Sequence, residues 1–442
     1  MSSWVTLACD RVPGMDDEPR GQRGTASQGD APRKAPAAKP PMPVLPEIGQ
    51  GVPLVGEEGT DAHGYPRQRP DSTVLLAMLL QERYAELDEA IGSFEAKFEN
   101  DFHYEAWPRQ ALESFAVPSE TLRPKLDAWI EASPESFAAR AARGLWLDAM
   151  AWRVRGGGFV SETLDVQLRG MEQLHLDARK DLAAAMVLRP KAVVPHQWAM
   201  SIARSHDDEA ELEREYAAAL DKCPKCFDVR RTYVLAQGWR WGGSQEAMTT
   251  AATTAPVGAN AKLEALQGIP AYDRCRDLFG KKKYDAALAE CARAETAGAD
   301  PIFTCLRARI LYVQDRHLES LRAAEEGLRQ DPQEYDCLRV RMWSRQKLSD
   351  LTLAGEDLLT LRRLDPWNEE LYAATDWMTK RLAYQAQQSE AAGRAEAAAR
   401  DRALADAIVP GSGKRRFEAG PPEETIVEHK RQVQASPDDF EP

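Results

Sequence analysis

The sequence predicts an all-α protein, an α-solenoid of stacked antiparallel helix pairs with disordered N- and C-terminal tails. Three observations carry this. Between Tyr272 and Trp367 a helical pattern closes three times on Asp-Pro, at Asp300-Pro301, Asp331-Pro332 and Asp365-Pro366, at intervals of 31 and then 34 residues. Each interval holds two amphipathic segments with a short polar break between them. In the second segment small residues recur three to four apart: Ala287, Cys291 and Ala294, then Ser320, Ala324 and Gly327. That spacing puts them on one helix face, where a neighbouring helix can come close. A unit of about 34 residues cannot bury its apolar stripe alone, so such units must stack. Proline after each last turn stops the helix, because it lacks the amide and disfavours helical geometry before it.

The elements follow in chain order. Residues 1–70 are rich in Pro, Gly and charge and read as a disordered tail or tether. Thr6-Leu7-Ala8-Cys9 resembles the end of a bacterial lipoprotein signal, with Cys9 as the lipidated residue if the true start lies upstream. Folding begins near Asp71-Ser72, either of which can cap a helix. Leu75, Leu76, Leu79, Leu80, Tyr84, Leu87, Ile91, Phe94 and Phe98 carry a helical stripe. A pair follows at about Tyr104–Phe115 and Ser119–Ala132. A long helix from Glu135 to Arg155 stops at Gly156-Gly157-Gly158, where glycine accepts the left-handed conformation of a helix end. Its return helix is Thr163–Leu188, and Ala192–Arg204 and Asp208–Leu220 form the next pair. Asp228–Gln237 leads into Gly238-Trp239-Arg240-Trp241-Gly242-Gly243-Ser244, with Ser244 placed to cap the helix after it.

Residues 255–270 read as a short linker between an N-terminal helical-repeat domain, 71–256, and C-terminal repeats with a capping helix, 271–407, with a helix at Ala261–Leu266 placed to bridge the two halves. The cap is one long helix, Asn368–Ala407. The tail 408–442 is charged and Pro-rich and reads as disordered.

Tyr284-Asp285-Ala286-Ala287 followed by Ala294, and His317-Leu318-Glu319-Ser320 followed by Asp331-Pro332, resemble tetratricopeptide repeats. The small residue usual in the middle of the first helix falls on Cys275, Ala308 and Met342. The resemblance implies that the first helix of each pair lines a concave face. Its inward positions then include Tyr272, Arg276, Arg309, Tyr312, Arg339 and Trp343. Such a groove suits an extended acidic peptide, through guanidinium–carboxylate contacts and aromatic packing. The alternative is a row of ordinary solvated or ion-paired arginines. The asparagines of a peptide-carboxylate clamp are missing, so a C-terminal carboxylate is not implied. The segment from about Leu75 to Ala252 is similar to an uncharacterised bacterial domain family with an Arg-Gly-Gly motif after a Trp-bearing helix and an Arg-Trp-Gly-Gly-Ser motif farther on. That family has no known activity. Both motifs fall where the first helix of a pair turns into the second. Arg153, Arg155, Trp239, Arg240 and Trp241 are therefore expected on one edge of the stack. They either plug gaps between unequal helices or bind a partner there, since Trp and Arg dominate binding hot spots.

The net charge of −13, from 57 basic and 70 acidic residues, argues against nucleic acid as the main ligand. No apolar run is long enough for a membrane span. The compartment reads as cytoplasmic, or as the bacterial envelope if Cys9 is lipidated. In an oxidising compartment Cys223–Cys226 would close a loop, and Cys275 and Cys291 occupy facing positions of one helix pair; otherwise these are reduced core cysteines. A zinc knuckle at Cys223-Pro-Lys-Cys226 lacks a second pair, with only His196 and His206 as further donors. Glu172 and His175 have the spacing of carboxylate-bridged metal bundles but no partner set. No catalytic residue, metal or cofactor is assigned, and no phosphate-cradling loop, His-Glu-x-x-His or Gly-x-Ser-x-Gly is present. The reading is a non-enzymatic scaffold that binds a partner protein or acidic peptide. The alternatives are an enzyme with a site at the glycine-rich edge, or an immunity or accessory protein to a secreted toxin.

Overall fold

The computed structural model describes residues 51–157, 163–366 and 368–416. Among them are eighteen α-helices and one pair of two-residue strands, β1 (Leu54–Val55) and β2 (Arg69–Pro70). The protein is an all-α stack of helix pairs. The first helices are α1 (Ser72–Leu80), α2 (Tyr84–Asn100), α3 (Ala106–Glu113), α4 (Arg123–Ala132), α5 (Phe137–Arg155) and α6 (Asp165–Leu188). Next come α7 (Val194–Ser205), α8 (Glu209–Lys222), α9 (Phe227–Ala236) and α10 (Gln245–Thr253). The repeats proper are α11 (Ile269–Gly280) with α12 (Tyr284–Ala297), α13 (Pro301–Val313) with α14 (His317–Gln330), and α15 (Tyr335–Lys347) with α16 (Leu351–Leu364). The last pair is α17 (Glu369–Ala391) and α18 (Ala395–Ile408).

Six of these hairpins turn in the same way. Residues Glu82, Asp207, Lys282, Asp315, Ser349 and Gly393 all have φ between +53° and +73°. In each, the N–H of the following residue bonds a carbonyl five positions back, as in Arg83 to Met78, Lys283 to Leu278 and Arg394 to Ser389. The N–H of the left-handed residue itself bonds three back, as in Lys282 to Phe279. This is the Schellman closure, which satisfies the last carbonyls of the first helix. The next helix starts one residue later, so the two must run antiparallel and close together. Only one of the six turns uses glycine. In the other five an L side chain is held in left-handed geometry, at a cost of roughly 1 kcal/mol each.

The side-chain logic of the pairs also repeats. Arg274, Arg307 and Arg341 stand on successive first helices. Each bridges to an acid on a second helix: Glu290 at 2.9 Å, Glu295 at 2.8 Å and Asp357 at 2.6 Å. Ser320, Ala324 and Gly327 are buried on α14, as are Ala287, Cys291 and Ala294 on α12. The small face therefore lies against its neighbours, as the spacing predicts.

The structure departs from the sequence reading in three places. The segment 51–70, expected to belong to a disordered tail, is an ordered strap. Its composition is poor in apolar residues, but its polar groups are met by distant parts of the fold. Trp107 Nε1 donates to Gln68 O at 2.7 Å, Gln333 Nε2 donates to Val55 O at 2.9 Å, and Arg69 pairs with Asp331 at 2.7 Å. Residues 255–270 are not a spacer between two domains. Leu263, Ala265, Leu266 and Ile269 share one core with Phe227, Val234 and Met248 before them and Ala294 and Phe303 after them. The stack is therefore continuous. The expected capping helix Asn368–Ala407 is a pair, broken where Gly393 takes φ +73°. Cys9, the expected lipidation site, lies outside the described residues, as do the rest of residues 1–50 and residues 417–442.

The strap also joins the ends of the array. Asp71 caps α1 by accepting from Thr73 N and Val74 N, and its other oxygen pairs with Arg363 at 2.6 Å, from α16. Thr73 donates to the Arg363 carbonyl at 3.0 Å. The superhelix thus curls far enough for its first helix to touch the third repeat.

Candidate functional site

The residues expected to line a concave face stand on the first helices of the repeats, α11, α13 and α15. Guanidinium groups lie over aromatic rings there: Arg276 over Tyr272 at 5.7 Å, Arg309 over Phe279 at 5.2 Å and Arg339 over Trp343 at 5.0 Å. Tyr312 and Trp343 face each other at 5.6 Å. Two of these contacts, Arg276 with Tyr272 and Arg339 with Trp343, are between residues four apart on one helix, and Tyr312–Trp343 joins α13 to α15. Their exposure is unequal. Arg276 and Arg339 are only 9% and 4% exposed, and Arg339 pairs with Asp336 at 3.0 Å. Arg339 is to this extent one of the ion-paired arginines of the alternative reading. Arg309, Tyr272, Tyr312 and Trp343 are the half-buried members that still present surface. Burial, then Asp336 and Asp300, raise the Tyr272 hydroxyl above its ordinary value.

Beside this row the strap encloses a cavity of about 280 Å³. Its walls come from the strap (Tyr65, Arg69), α3 (Trp107, Arg109), α9 (Asp228, Arg231) and the turns at Asp300 and Glu334. Sequence reasoning missed it, because its walls lie more than two hundred residues apart in the chain. A buried polar network forms one wall. Glu105 caps α9 from outside the helix, accepting from Phe227 N at 2.9 Å and Asp228 N at 3.0 Å. Tyr65 donates to Glu105 at 2.9 Å, and Asn260 donates to Tyr65 at 2.7 Å. Burial, with Asp228 beside it, pushes the Glu105 carboxyl up to about 7. Burial works against the Asp228 carboxylate too, but Arg109 and Arg231 outweigh it and hold its pKa at about 2. On the opposite wall burial, then Asp331 and Asp336, push the Glu334 carboxyl up to about 7.

The two glycine motifs converge on another edge. Trp152, at the end of α5, meets Trp241 edge-on at 6.4 Å, and Arg155 lies over Trp152 at 5.5 Å. Arg204 of α7 lies over the Trp241 ring at 4.3 Å. The 238–243 loop folds back on itself, with Ser244 N donating to Gln237 O at 2.9 Å. A Cβ at Gly243 would sit 2.1 Å from that carbonyl, so only glycine fits there. Ser244 caps α10 by accepting from Ala247 N at 3.0 Å. The five expected edge residues do not act together. Trp241 and Arg155 are packed into this cluster. Arg153 is exposed and donates to the Pro118 carbonyl. Arg240 lies over the Trp239 ring at 5.9 Å, and its charge also acts on Tyr272 and Asp273 of the next unit. Trp239 remains 41% exposed.

Beneath the indoles lies a polar chain. His175 is fully buried, with Nε2 3.0 Å from Asp148 and Nδ1 2.8 Å from His206. Burial, then the neighbouring His175, lowers the His206 pKa. Both ring nitrogens of His175 are thus taken by structural hydrogen bonds. His196 pairs with Glu215 at 2.8 Å, away from any zinc knuckle. Among the described residues no group of three or more His, Cys, Asp or Glu is arranged to hold a metal ion, and no helix is long and apolar enough to cross a membrane. The structure joins Cys223 to Cys226, Cys275 to Cys291, and, unforeseen from the sequence, Cys305 to Cys337.

Residues 72–206 match the model of a family described as a domain of unknown function, DUF4034. The matched stretch contains Arg155-Gly156-Gly157 and ends before the second glycine motif. Comparison with curated proteins gave no match. Among solved structures, a monomeric mutant of IFIT1 with Gppp-AAAA is similar over 83% of this chain and 73% of its own, at 12% identity and a TM-score of 0.28. The TPR domain of P58(IPK) is similar over 81% of this chain and 99% of its own, at 13% identity and a TM-score of 0.19.

Proposed function

We propose that this tetratricopeptide-like helical-repeat protein is a non-enzymatic scaffold that holds an extended, acidic segment of a partner protein against its concave face. The observation that carries this reading is the row of half-buried Arg309, Tyr312 and Trp343, with Phe279 beneath the Arg309 guanidinium at 5.2 Å. A guanidinium braced by a ring is pre-organised, so it loses less freedom on meeting a carboxylate. The two buried arginines, Arg276 and Arg339, act as supports that hold Tyr272 and Trp343 in place.

The second surface is the exposed Trp239, which suits an apolar contact at the rim of the same assembly. An enzymatic reading has its best support in Asp148, His175 and His206. There the histidine is shielded from solvent and no nucleophile stands next to it in the chain of hydrogen bonds, so the trio reads as a packing device.

The test is affinity capture from native cells with wild type, Arg309→Glu and Trp239→Ala. Arg309 is chosen over Arg339 because reversing a buried charge would unfold the repeat. Loss of one partner by tenfold or more with Arg309→Glu, at unchanged helicity, is the expected result. Equal recovery of every partner by Arg309→Glu removes the groove reading. Loss confined to Trp239→Ala moves the site to the rim.

A further inference from the structure

The cysteines of the repeats point to a covalent device between the helices that carry the proposed groove. Among the described residues all six cysteines are paired. Two of the bridges are local. Cys223–Cys226 closes a turn after α8, and Cys275–Cys291 joins the two helices of one pair. The third is different. Cys305 stands on α13 and Cys337 on α15, so this bridge ties one pair to the next, with the two Cα atoms 4.8 Å apart. Both helices carry residues of the proposed groove. Arg309 lies one turn beyond Cys305, and Arg339 and Trp343 lie within two turns of Cys337.

The surroundings are shaped for this bridge. Gly327 sits inside α14, where glycine is less favourable than alanine. A Cβ there would lie 2.4 Å from Cys337 Sγ and 3.4 Å from Cys305 Sγ. The bare backbone makes room for the sulfurs. Both cysteines are buried, at 2% and 0% exposure. Two separate thiols need more room than one disulfide, and a packed core has none to give without moving a helix.

We propose that Cys305 and Cys337 are cross-linked in the working protein, that the bridge sets the spacing of the two groove-lining helices, and that the protein therefore matures in an oxidising compartment. The step is thiol–disulfide exchange with a disulfide-donating oxidoreductase. Two S–H bonds are lost and one Sγ–Sγ bond forms. The donor's disulfide takes up the two electrons and two protons and leaves as a pair of thiols. Disulfides persist in secreted and periplasmic proteins and are rare where glutathione and thioredoxin keep thiols reduced. The consequence for the partner rests on the concave-face reading; the bridge itself does not.

The experiment has two arms. In the first, native cells are lysed in denaturant with N-ethylmaleimide and no reductant, and the peptides are mapped by mass. The expected result is a Cys305 peptide joined to a Cys337 peptide, with neither alkylated. Alkylation of both cysteines overturns the proposal. In the second, hydrogen exchange of purified wild type is compared with Cys305→Ala/Cys337→Ala. Exchange in α13 and α15 should rise roughly tenfold or more while α5 and α6 are unchanged. Equal protection in α13 and α15 overturns the role given to the bridge. Neither arm involves a partner, so failure of the groove reading leaves both outcomes readable.

Discussion

In the first half of the chain the core is built around large rings. Trp129, Trp146, Phe94 and Phe115 are fully buried in one cluster that runs from α1 to α7. In the repeats the helices are drawn together by small residues instead. Ala287, Ala294, Ala308, Ala324 and Gly327 stand at the contacts, and disulfides reinforce them. The two halves show two ways to stack a hairpin. Small residues allow one short interhelical distance, so every unit has nearly the same length and turn. α5 and α6 are longer, at 19 and 24 residues, and come close at Gly144, where a Cβ would lie 3.0 Å from Leu182. Their loops grow with them, and the period blurs.

The sharpest way to break this contrast is to remove a ring. Trp146 packs under Arg123 at 5.6 Å and donates to Ser119 O at 3.1 Å. Trp146→Ala should cost about 3–5 kcal/mol in chemical unfolding. A cost near 1 kcal/mol would mean the first half is not held by its aromatic core.

Charge burial differs between the halves as well. Asp357 in the repeats is gripped by Arg341 at 2.6 Å and Arg345 at 2.7 Å. Glu95 in α2 is fully buried, accepts no hydrogen bond, and has only Arg189 at 3.8 Å. Burial pushes its carboxyl from the ordinary 4.5 up to about 7. The folded state therefore holds this proton more tightly than the unfolded state does. Glu95 costs nothing in this respect below about pH 4.5, and stability falls as pH rises through 7. Glu95→Gln should gain about 2–3 kcal/mol at pH 8 and almost nothing near pH 4.5. A pH-independent difference in urea midpoints would contradict the assignment.

A third comparison is between glycines. Gly327→Ala should destabilise by about 1–3 kcal/mol while the Cys305–Cys337 bridge is present. In a Cys305→Ala/Cys337→Ala background the same change should gain roughly 0.5–1 kcal/mol, through helix propensity. The same sign in both backgrounds would separate Gly327 from the disulfide.

The smallest effect expected is at the shared turn. Lys282 has φ +56°. Lys282→Gly relieves left-handed strain and adds freedom to the unfolded chain, for a net gain of about 0.5 kcal/mol by thermal melting. A loss would show that the lysine side chain, not the turn, holds that position.

The chain order alone carried much of the fold. The Asp-Pro closures place α13 after Asp300 and mark the ends of α14 and α16. The small-residue faces lie where a helical period of 3.6 puts them. Asp71 and Ser244 cap the helices that their positions announced. These features are local, fixed by dihedral preference and by which side of a helix a residue occupies, and neighbouring residues suffice to state them.

What sequence position could not convey was the relation between distant units. It suggested a free tail where the strap binds Trp107 and Gln333. It placed Arg240 with Trp241, whereas Arg240 acts on the next unit and Trp241 packs under Arg204. It did not foresee that Cys305 would meet Cys337 across a pair boundary. It gave Arg276 and Arg339 the same openness as Arg309. Each of these depends on how far the array curls. Curl is the sum of many small packing angles, and no single residue encodes it. The repeat is therefore a property of the sequence, and the closed groove a property of the assembled stack.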